Sequence, residues 1–274
     1  MIGALVIAFR EVIEAGLIIS IVLAATRGIP GRGRWVALGV LGGLSGAAVV
    51  ALSAQEISDA FEGAGQDLLN AAVLVVAVLM LVWHNTWMSR HGRELAGELR
   101  TTGEAVRSGQ RSAAGLAVVI GAAILREGAE LVLFLYGLVA SGTAGADLQL
   151  GALAGIGAGV ALSGVSYFGL ASIPKRYVFS ATSVLIVFLA AGLAAQAAQF
   201  LSNAGIVTVL DQTLWNSAGL IPETSWPGRV LHALVGYTDR PTVLQGLVYA
   251  ATILLMLGLT QWSATDRRRA MRHA

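Results

Sequence analysis

Long apolar runs separated by short polar connections dominate the pattern along this chain of 274 residues. Each run reaches about 20 residues or more, the length that crosses roughly 30 Å of hydrocarbon as an α-helix. The pattern therefore predicts an all-α membrane protein. Its seven transmembrane helices are predicted at residues 2–26, 35–54, 65–88, 113–140, 148–172, 177–201 and 241–262.

An internal repeat relates the first three predicted helices to the next three. Arg10-Glu11-x-x-Glu14 recurs 116 residues later as Arg126-Glu127-x-x-Glu130. The glycine pattern that begins at Leu38-Gly39 recurs 112 residues later at Leu150-Gly151. Because three is an odd number of crossings, the two copies enter the membrane in opposite senses, which is an inverted-topology repeat. Glycines spaced four apart in both copies predict smooth helix faces for close packing rather than a nucleotide-binding loop.

These elements form one transmembrane domain over residues 1–274, with the seventh helix as an appendage outside the repeat. Its predicted segments are repeat one (1–88), a cytoplasmic linker (89–112), repeat two (113–201), an outer loop that can hold a short helix (202–240), the seventh helix (241–262) and a basic cytoplasmic tail (263–274).

The charges in the connections predict the orientation. With seven crossings, fourteen of the eighteen Lys and Arg residues fall on one side, in the connections 27–34, 89–112 and 175–176 and in the tail. The opposite side carries two arginines and eight acidic residues. The positive-inside rule then places the N-terminus outside and the C-terminus in the cytoplasm.

The two Arg-Glu-x-x-Glu motifs are the strongest candidates for chemistry. A charged residue at the centre of a membrane helix costs about 2.5–3.5 kcal/mol on insertion scales, so such residues are functional candidates. At helical spacing Glu11 adjoins Glu14, and Arg10 can reach Glu14. The same spacing relates Arg126, Glu127 and Glu130 in the second copy.

If the first and fourth helices meet, four carboxylates and two guanidinium groups converge with a formal charge of −2, which favours a bound cation or protons. Carboxylate oxygens suit hard cations, and the arginines can hold them in fixed orientations. A purely structural role, in which each pair only joins helices, is the alternative, although buried ion pairs are costly for that purpose.

Composition narrows the remaining classes. The chain has no cysteine, which excludes thiolate metal sites and disulfides. Its basic residues lie in membrane-flanking connections, so they indicate no nucleic-acid partner. Neither a His-Glu-x-x-His nor a Gly-x-Ser-x-Gly motif is present. The chain is therefore interpreted as a transporter rather than an enzyme, with no cofactor.

Two further groups of residues are candidates for the ends of a transport path. Glu56, Asp59 and Glu62 follow the second helix at intervals of three and can form an acidic outer vestibule, or simply a solvated loop. His84 is predicted near the inner end of the third helix. There it is expected as a hydrogen-bonded interfacial residue or as part of an inner exit.

At the doubled motif the chain resembles the oxidase-coupled high-affinity iron permeases, which include the fungal iron permease and bacterial EfeU-type proteins. Their mark is Arg-Glu-Gly-Leu-Glu in the first and fourth helices. The charged positions match here, while Val12 stands where the family has glycine. Phe61-Glu62-Gly63 and the region from Leu214 to Thr242 are also similar to the family, so the resemblance covers nearly the whole chain.

The resemblance implies iron uptake through the bacterial cytoplasmic (inner) membrane, with iron as the transported substrate. It makes Glu11, Glu14, Glu127 and Glu130 the iron-handling residues and Arg10 and Arg126 their supporting partners. It also implies a separate external partner, either a multicopper oxidase or a periplasmic iron-binding protein with a haem peroxidase. The alternative is a proton-coupled carrier of another cation or small solute, with the same glutamates as a proton relay.

Overall fold

The structure, a computed structural model, describes residues 1–60, 66–110, 112–168 and 175–273. Within them the side chains of residues 54–60, 88–96, 175–179, 233 and 263–273 are not described. Eight α-helices occupy the described residues: α1 (Ile2–Ala25), α2 (Arg32–Ala60), α3 (Gln66–Arg107), α4 (Ala114–Ala140), α5 (Gly145–Tyr167), α6 (Lys175–Asn203), α7 (Trp226–Val235) and α8 (Val243–His273).

The fold is all-helical over the described residues, as the apolar pattern predicts. Five stretches are long and apolar enough to cross a membrane, judged by length and composition: Arg32–Ser53, Gln66–Trp87, Gly145–Tyr167, Ser180–Asn203 and Val243–Trp262. Helices α1 and α4 have 24 and 27 residues but fall outside this set, because each carries three charged residues in its central part.

Apolar side chains cover much of the outer surface. On α2, Leu41 and Leu52 are more than 60% exposed, and α5 and α8 show the same feature at Leu153 and Leu254. So many exposed leucines would be an aggregation hazard in water. They are what helices facing lipid require, and the chain is a multi-pass membrane protein.

Helix α3 differs from its predicted bounds. It was predicted to end near residue 88, with a linker over 89–112, yet it continues as one helix of 42 residues to Arg107. Helix-favouring Glu, Leu and Ala residues support this extension. Its buried Leu99 and Val106 join the apolar cluster that contains Ile18 and Val22 of α1.

Close helix pairs are built on the glycine faces that the sequence predicts. Helix α5 packs on α1, and a Cβ atom added at Gly159 would lie 2.9 Å from Val12. Helix α2 packs on α4, and a Cβ atom added at Gly43 would lie 2.6 Å from Cβ of Ile124. The packing role of the glycines is confirmed.

Helix α7 is the short helix expected in the outer loop, so the predicted seventh helix is α8. Ser225 caps its N-terminus, since its hydroxyl oxygen accepts a hydrogen bond from the Gly228 amide at 3.1 Å. Gly236 ends it in the left-handed conformation, with φ of 66°, a geometry that favours glycine. The backbone of Gly236 packs directly on Gly192 of α6, which holds α7 against the helix bundle.

Two buried apolar clusters lie on either side of the middle of α1 and α4. One contains Ile7 and Phe134, and the other contains Ile18 and Ile124. The charged motifs lie between these clusters along both helices. The fold therefore places a buried apolar cluster on each side of the charged motifs along α1 and α4.

Candidate metal centre

The charged residues of α1 and α4 converge in the interior of the bundle, because α1 and α4 pack against each other and both pack against α3. The glutamates Glu11, Glu14, Glu127 and Glu130 are at most 4% exposed. Acids from both motifs therefore share one buried site, as expected if the first and fourth helices meet.

Each arginine holds the last glutamate of its own motif. The Nε–H group of Arg10 donates to Oε1 of Glu14 at 2.9 Å, and the Nε–H group of Arg126 donates to Oε1 of Glu130, also at 2.9 Å. Both pairs are four residues apart on one helix, the spacing that lets such side chains meet. The second oxygen of each glutamate, Oε2, is not held by its arginine and lies toward the centre of the site.

The imidazole ring of His84, from α3, lies between these two glutamates. Its Nε2 atom is 3.3 Å from Oε2 of Glu14, and its Nδ1 atom contacts Oε2 of Glu130. The ring is fully buried. His84 therefore joins the two motifs from a third helix.

Four of these residues form a compact set of possible metal ligands. Glu11, His84, Glu127 and Glu130 each offer one ligand atom, and these atoms all lie within 4.8 Å of one another. Glu14 adjoins this set across the ring of His84.

Many polar atoms of the site make no hydrogen bond, although buried polar groups in proteins are nearly always satisfied. They include both carboxylate oxygens of Glu11 and Oε2 of Glu127, whereas Oε2 of Glu14 and Oε2 of Glu130 contact only the ring of His84. Clustered acceptors of this kind need a cation or protons between them. A metal ion bound by carboxylate and imidazole groups would satisfy them.

The two arginines have different surroundings. The side chain of Arg10 is 3% exposed, whereas that of Arg126 is 29% exposed. The guanidinium group of Arg126 stacks over the ring of Trp87 at 4.3 Å and lies 5.9 Å from the ring of Trp83. The site is therefore closed around Arg10 and more open around Arg126.

A cavity of about 500 Å³ begins at Glu11 and Glu127 and is otherwise lined mostly by apolar side chains of α1, α2, α4 and α5. It shares Ser20 and Tyr167 with a second cavity of about 460 Å³. The second cavity is lined by charged residues of α3 and the end of α1: Arg27, Arg100, Glu104 and Arg107. The two cavities are therefore neighbours, one beside the buried glutamates and the other beside the arginines.

A second polar group lies where the outer loop packs on α6. His232 of α7 has its Nε2 atom 2.9 Å from Nε2 of Gln196 and its Nδ1 atom 3.1 Å from Oε1 of Glu223. The hydrogen bond with Glu223 raises the pKa of His232, and the same bond lowers the pKa of Glu223. No local sequence signal marks this pair, since Glu223 and His232 are nine residues apart.

The predicted site residues fall into three groups. The motif residues Arg10, Glu11, Glu14, Arg126, Glu127 and Glu130 all lie at the buried site. His84 lies at the centre of that site rather than near an inner helix end, because α3 continues well beyond residue 88. The vestibule residues lie outside the described part of the chain: Glu62 entirely, and Glu56 and Asp59 through their side chains.

Comparison with known proteins identifies the family of the chain. The model of the iron permease FTR1 family matches residues 1–265. The chain belongs to the iron permease FTR1 family. The resemblance inferred from the doubled motif is thereby confirmed.

Individual members of this family align over most of the chain. The chain is 29% identical over 247 residues to ferrous iron permease EfeU of Escherichia coli O6:K15:H31 (strain 536 / UPEC), which covers 89% of both chains. It is 29% identical over 248 residues to ferrous iron permease EfeU of Yersinia pestis, covering 89% of this chain and 87% of the relative. No solved structure matches the chain.

The presence of Val12 where the family has glycine is explained by helix packing. A Cβ atom added at Gly159 would lie 2.9 Å from Val12, whereas one added at Gly128 would lie 2.6 Å from Cβ of Ala47. Each close contact thus pairs a glycine with a larger residue. In the α1–α5 contact the glycine is Gly159 of α5, whereas in the α2–α4 contact it is Gly128 of α4. The larger side chain at position 12 is accommodated by the missing side chain at position 159.

Proposed function

We propose that this chain is a permease that moves iron ions across the bacterial cytoplasmic membrane into the cell, holding them on the glutamates of both Arg-Glu-x-x-Glu motifs. The main support is the buried convergence of Glu11, Glu127 and Glu130 from two helices, with unsatisfied oxygens facing one another. Family membership supplies the identity of the cargo. The names of the relatives favour ferrous iron.

The proposal includes seven membrane crossings, with α1 and α4 crossing in spite of their charges. The charges of these two helices face the protein interior, where they find partners, so lipid does not have to accommodate them. The exposed leucines of α2, α5 and α8 would face lipid instead. The N-terminus is outside and the C-terminus is in the cytoplasm, according to the distribution of arginines.

The helix pairing supports the inverted repeat of three plus three helices. If α1, α2 and α3 correspond to α4, α5 and α6, the pairing of α1 with α5 corresponds to that of α4 with α2. The pairing of α3 with α6 and that of α1 with α4 each join corresponding helices. These are the pairings that a two-fold axis in the membrane plane would produce.

The cavities supply a route toward the cytoplasm. An ion that leaves Glu11 and Glu127 would enter the first cavity and pass Ser20 and Tyr167 into the second, which opens between the arginines. Arginine side chains repel a cation, so they discourage rebinding after release. On the outer side, Glu56, Asp59 and Glu62 remain the proposed vestibule that concentrates cations.

The moving parts would be helix pairs rather than whole repeats. Helix α1 packs most extensively on α5, and α2 on α4, in both cases over glycine faces. Sliding one repeat past the other would separate both close interfaces. Motion of the α1–α5 pair against the α2–α4 pair would preserve them and would open the site between α1 and α4.

Iron would be delivered by a separate external partner, either a periplasmic iron-binding protein with a haem peroxidase or a multicopper oxidase. The resemblance to oxidase-coupled permeases supports this part of the proposal. The partner hands over an ion and does not contribute to the buried site. Iron is the cargo and not a resident cofactor.

Uptake of radioactive iron into proteoliposomes tests the proposal. Glu11→Gln and Glu130→Gln each keep the shape of the side chain but remove a carboxylate charge, so uptake should fall by at least tenfold. Glu98→Gln is the matched control, since Glu98 is exposed on the α3 extension. Uptake that stays normal in both site variants would refute the proposal, and proton flux without iron uptake would favour the proton-coupled carrier.

A further inference from the structure

His84 contributes something that the two motifs lack, namely a nitrogen donor from a third helix. Its ring is fully buried, and its two nitrogens lie against carboxylate oxygens of Glu14 and Glu130. One of these nitrogens belongs to the set of four ligand atoms that lie within 4.8 Å of one another. A buried imidazole in that position requires an explanation beyond packing, because a leucine would fill the space without the cost of burying polar atoms.

We propose that His84 is a ligand of the transported ion through Nδ1 and that it sets the preference of the site for ferrous-type divalent cations over Mg²⁺ and Ca²⁺. The inference rests on the proposed function, since it concerns the same ion. It adds a residue outside both motifs to the site, and it explains why the third helix approaches the other two there.

The geometry assigns different tasks to the two ring nitrogens. Nδ1 faces Glu130, which belongs to the set of four possible ligands, whereas Nε2 faces Oε2 of Glu14 at 3.3 Å. Oε1 of Glu14 is held in turn by Arg10 at 2.9 Å. Arg10, Glu14 and His84 therefore form a chain that ends at the ion.

Such a chain is the usual second layer of a metal site. A histidine ligand donates its other ring N–H to a carboxylate, which orients the ring and makes the ligating nitrogen more basic. Glu14 is then a positioning residue that acts through His84, and Glu11, Glu127 and Glu130 supply the carboxylate ligands. This refines the expectation from the sequence that all four glutamates contact the ion.

The donor set explains the selectivity. A site of carboxylates alone suits Mg²⁺, Ca²⁺ and Mn²⁺, whereas imidazole suits iron, nickel, copper and zinc. Among divalent ions the affinity of a given nitrogen-containing site rises from Mn²⁺ through Fe²⁺ to the later metals. One imidazole among three carboxylates would therefore favour Fe²⁺ over the hard cations, which compete for any acidic site.

X-ray absorption at the iron edge of the purified full-length protein, loaded anaerobically with Fe²⁺, tests the proposal directly. The native protein should show the multiple-scattering features of one imidazole ligand, and His84→Gln should lack them. Glu14→Gln should retain them, because its amide oxygen still accepts the ring N–H, whereas Glu14→Leu should weaken them. His232→Gln is the matched control and should match the native spectrum, since His232 lies in the outer loop.

Competition binding gives the second measurement. His84→Gln should lower the affinity for Fe²⁺ by about 10–100-fold, the range seen when the environment of a metal site is disrupted. The affinity for Ca²⁺ should change far less, so the ratio of the two affinities should fall. An equal loss for both ions would indicate a merely structural role for His84 and overturn the proposal.

The possible failures are distinguishable. Fe²⁺ bound to the native protein without any imidazole signal would overturn the role of His84 and leave the proposed function standing. This result needs no variant, so misfolding of His84→Gln cannot obscure it. A native protein that binds no Fe²⁺ at all would overturn the proposed function and this inference together.

Discussion

Replacing Arg10 with methionine should destabilise the protein far more than the same change at Arg126. The Arg10–Glu14 pair is buried, with side chains 3% and 1% exposed. Removing one partner of a buried ion pair costs about 3–5 kcal/mol, because the other charge is left uncompensated. His84 remains 3.3 Å from Glu14 and offers partial compensation, so the cost of Arg10→Met should lie near the lower end of that range.

Arg126 should matter less for stability because its side chain is less enclosed by the protein than that of Arg10. Its side chain is 29% exposed, and solvent-exposed pairs contribute about 1 kcal/mol or less. Stacking on Trp87 at 4.3 Å adds a cation–π contribution of about 0.5–1 kcal/mol. The expected cost of Arg126→Met is therefore about 0.5–2 kcal/mol, so the two variants should differ by at least ~1 kcal/mol.

Unfolding by increasing amounts of a denaturing detergent in mixed micelles, followed by tryptophan fluorescence, measures both costs. The double variant Arg10→Met/Glu14→Gln is the control, since it removes both charges and keeps an acceptor for His84. It should recover much of the stability lost in Arg10→Met. The reasoning fails if Arg126→Met is as costly as Arg10→Met, or if the double variant is no more stable than the single one.

Two further predictions concern the packing and the outer loop. Gly155→Leu should prevent close packing of α5 on α1 and abolish a monodisperse peak in size-exclusion chromatography. Gly157→Leu should be tolerated, because a Cβ atom there meets open space; failure of both would show that any large residue on α5 is harmful. The Glu223–His232 pair should contribute most to stability between pH 4.5 and 6.5, the ordinary pKa values of the two groups. This contribution should be lost as pH rises through the raised pKa of His232. Backbone amides of α7, corrected for intrinsic exchange, should therefore be better protected at mildly acidic than at alkaline pH, and a difference that persists in His232→Gln would contradict this.

The sequence predicts the local part of the site well because helical spacing determines it. Residues four apart on a helix must adjoin, so the hydrogen bonds of Arg10 to Glu14 and of Arg126 to Glu130 follow from the motif alone. The meeting of α1 and α4 follows from the doubling of the motif together with the cost of leaving its charges in lipid. These are short-range and energetic constraints that a single sequence contains.

The place of His84 could not be predicted in the same way. It depends on how far α3 extends beyond the apolar segment, and burial of Leu99 and Val106 against the end of α1 supports that extension. Burial of this kind is a tertiary contact and leaves no local signal. The sequence shows His84 as an ionisable residue inside an apolar run. That pattern marks it as a candidate but does not indicate how deep it lies in the helix bundle.

The choice of helix partners also lies beyond the sequence pattern. Glycine faces predict that α2 and α5 each pack closely on something. They do not distinguish a neighbour in the same repeat from one in the other repeat. That choice depends on steric complementarity, such as the fit of Val12 against Gly159 and of Ala47 against Gly128.

The crossed pairing of α1 with α5 and of α2 with α4 has an evolutionary consequence. A protein of three helices with these preferences would lack, within its own chain, the partner on which its first and second helices each pack most extensively. It would be stable only as an antiparallel homodimer, in which each subunit completes the other. If the proposed repeat arose by fusion of two such genes, the fusion turned an intersubunit ion site into an intramolecular one and left the two halves free to differ, as they do at Val12 and Gly128.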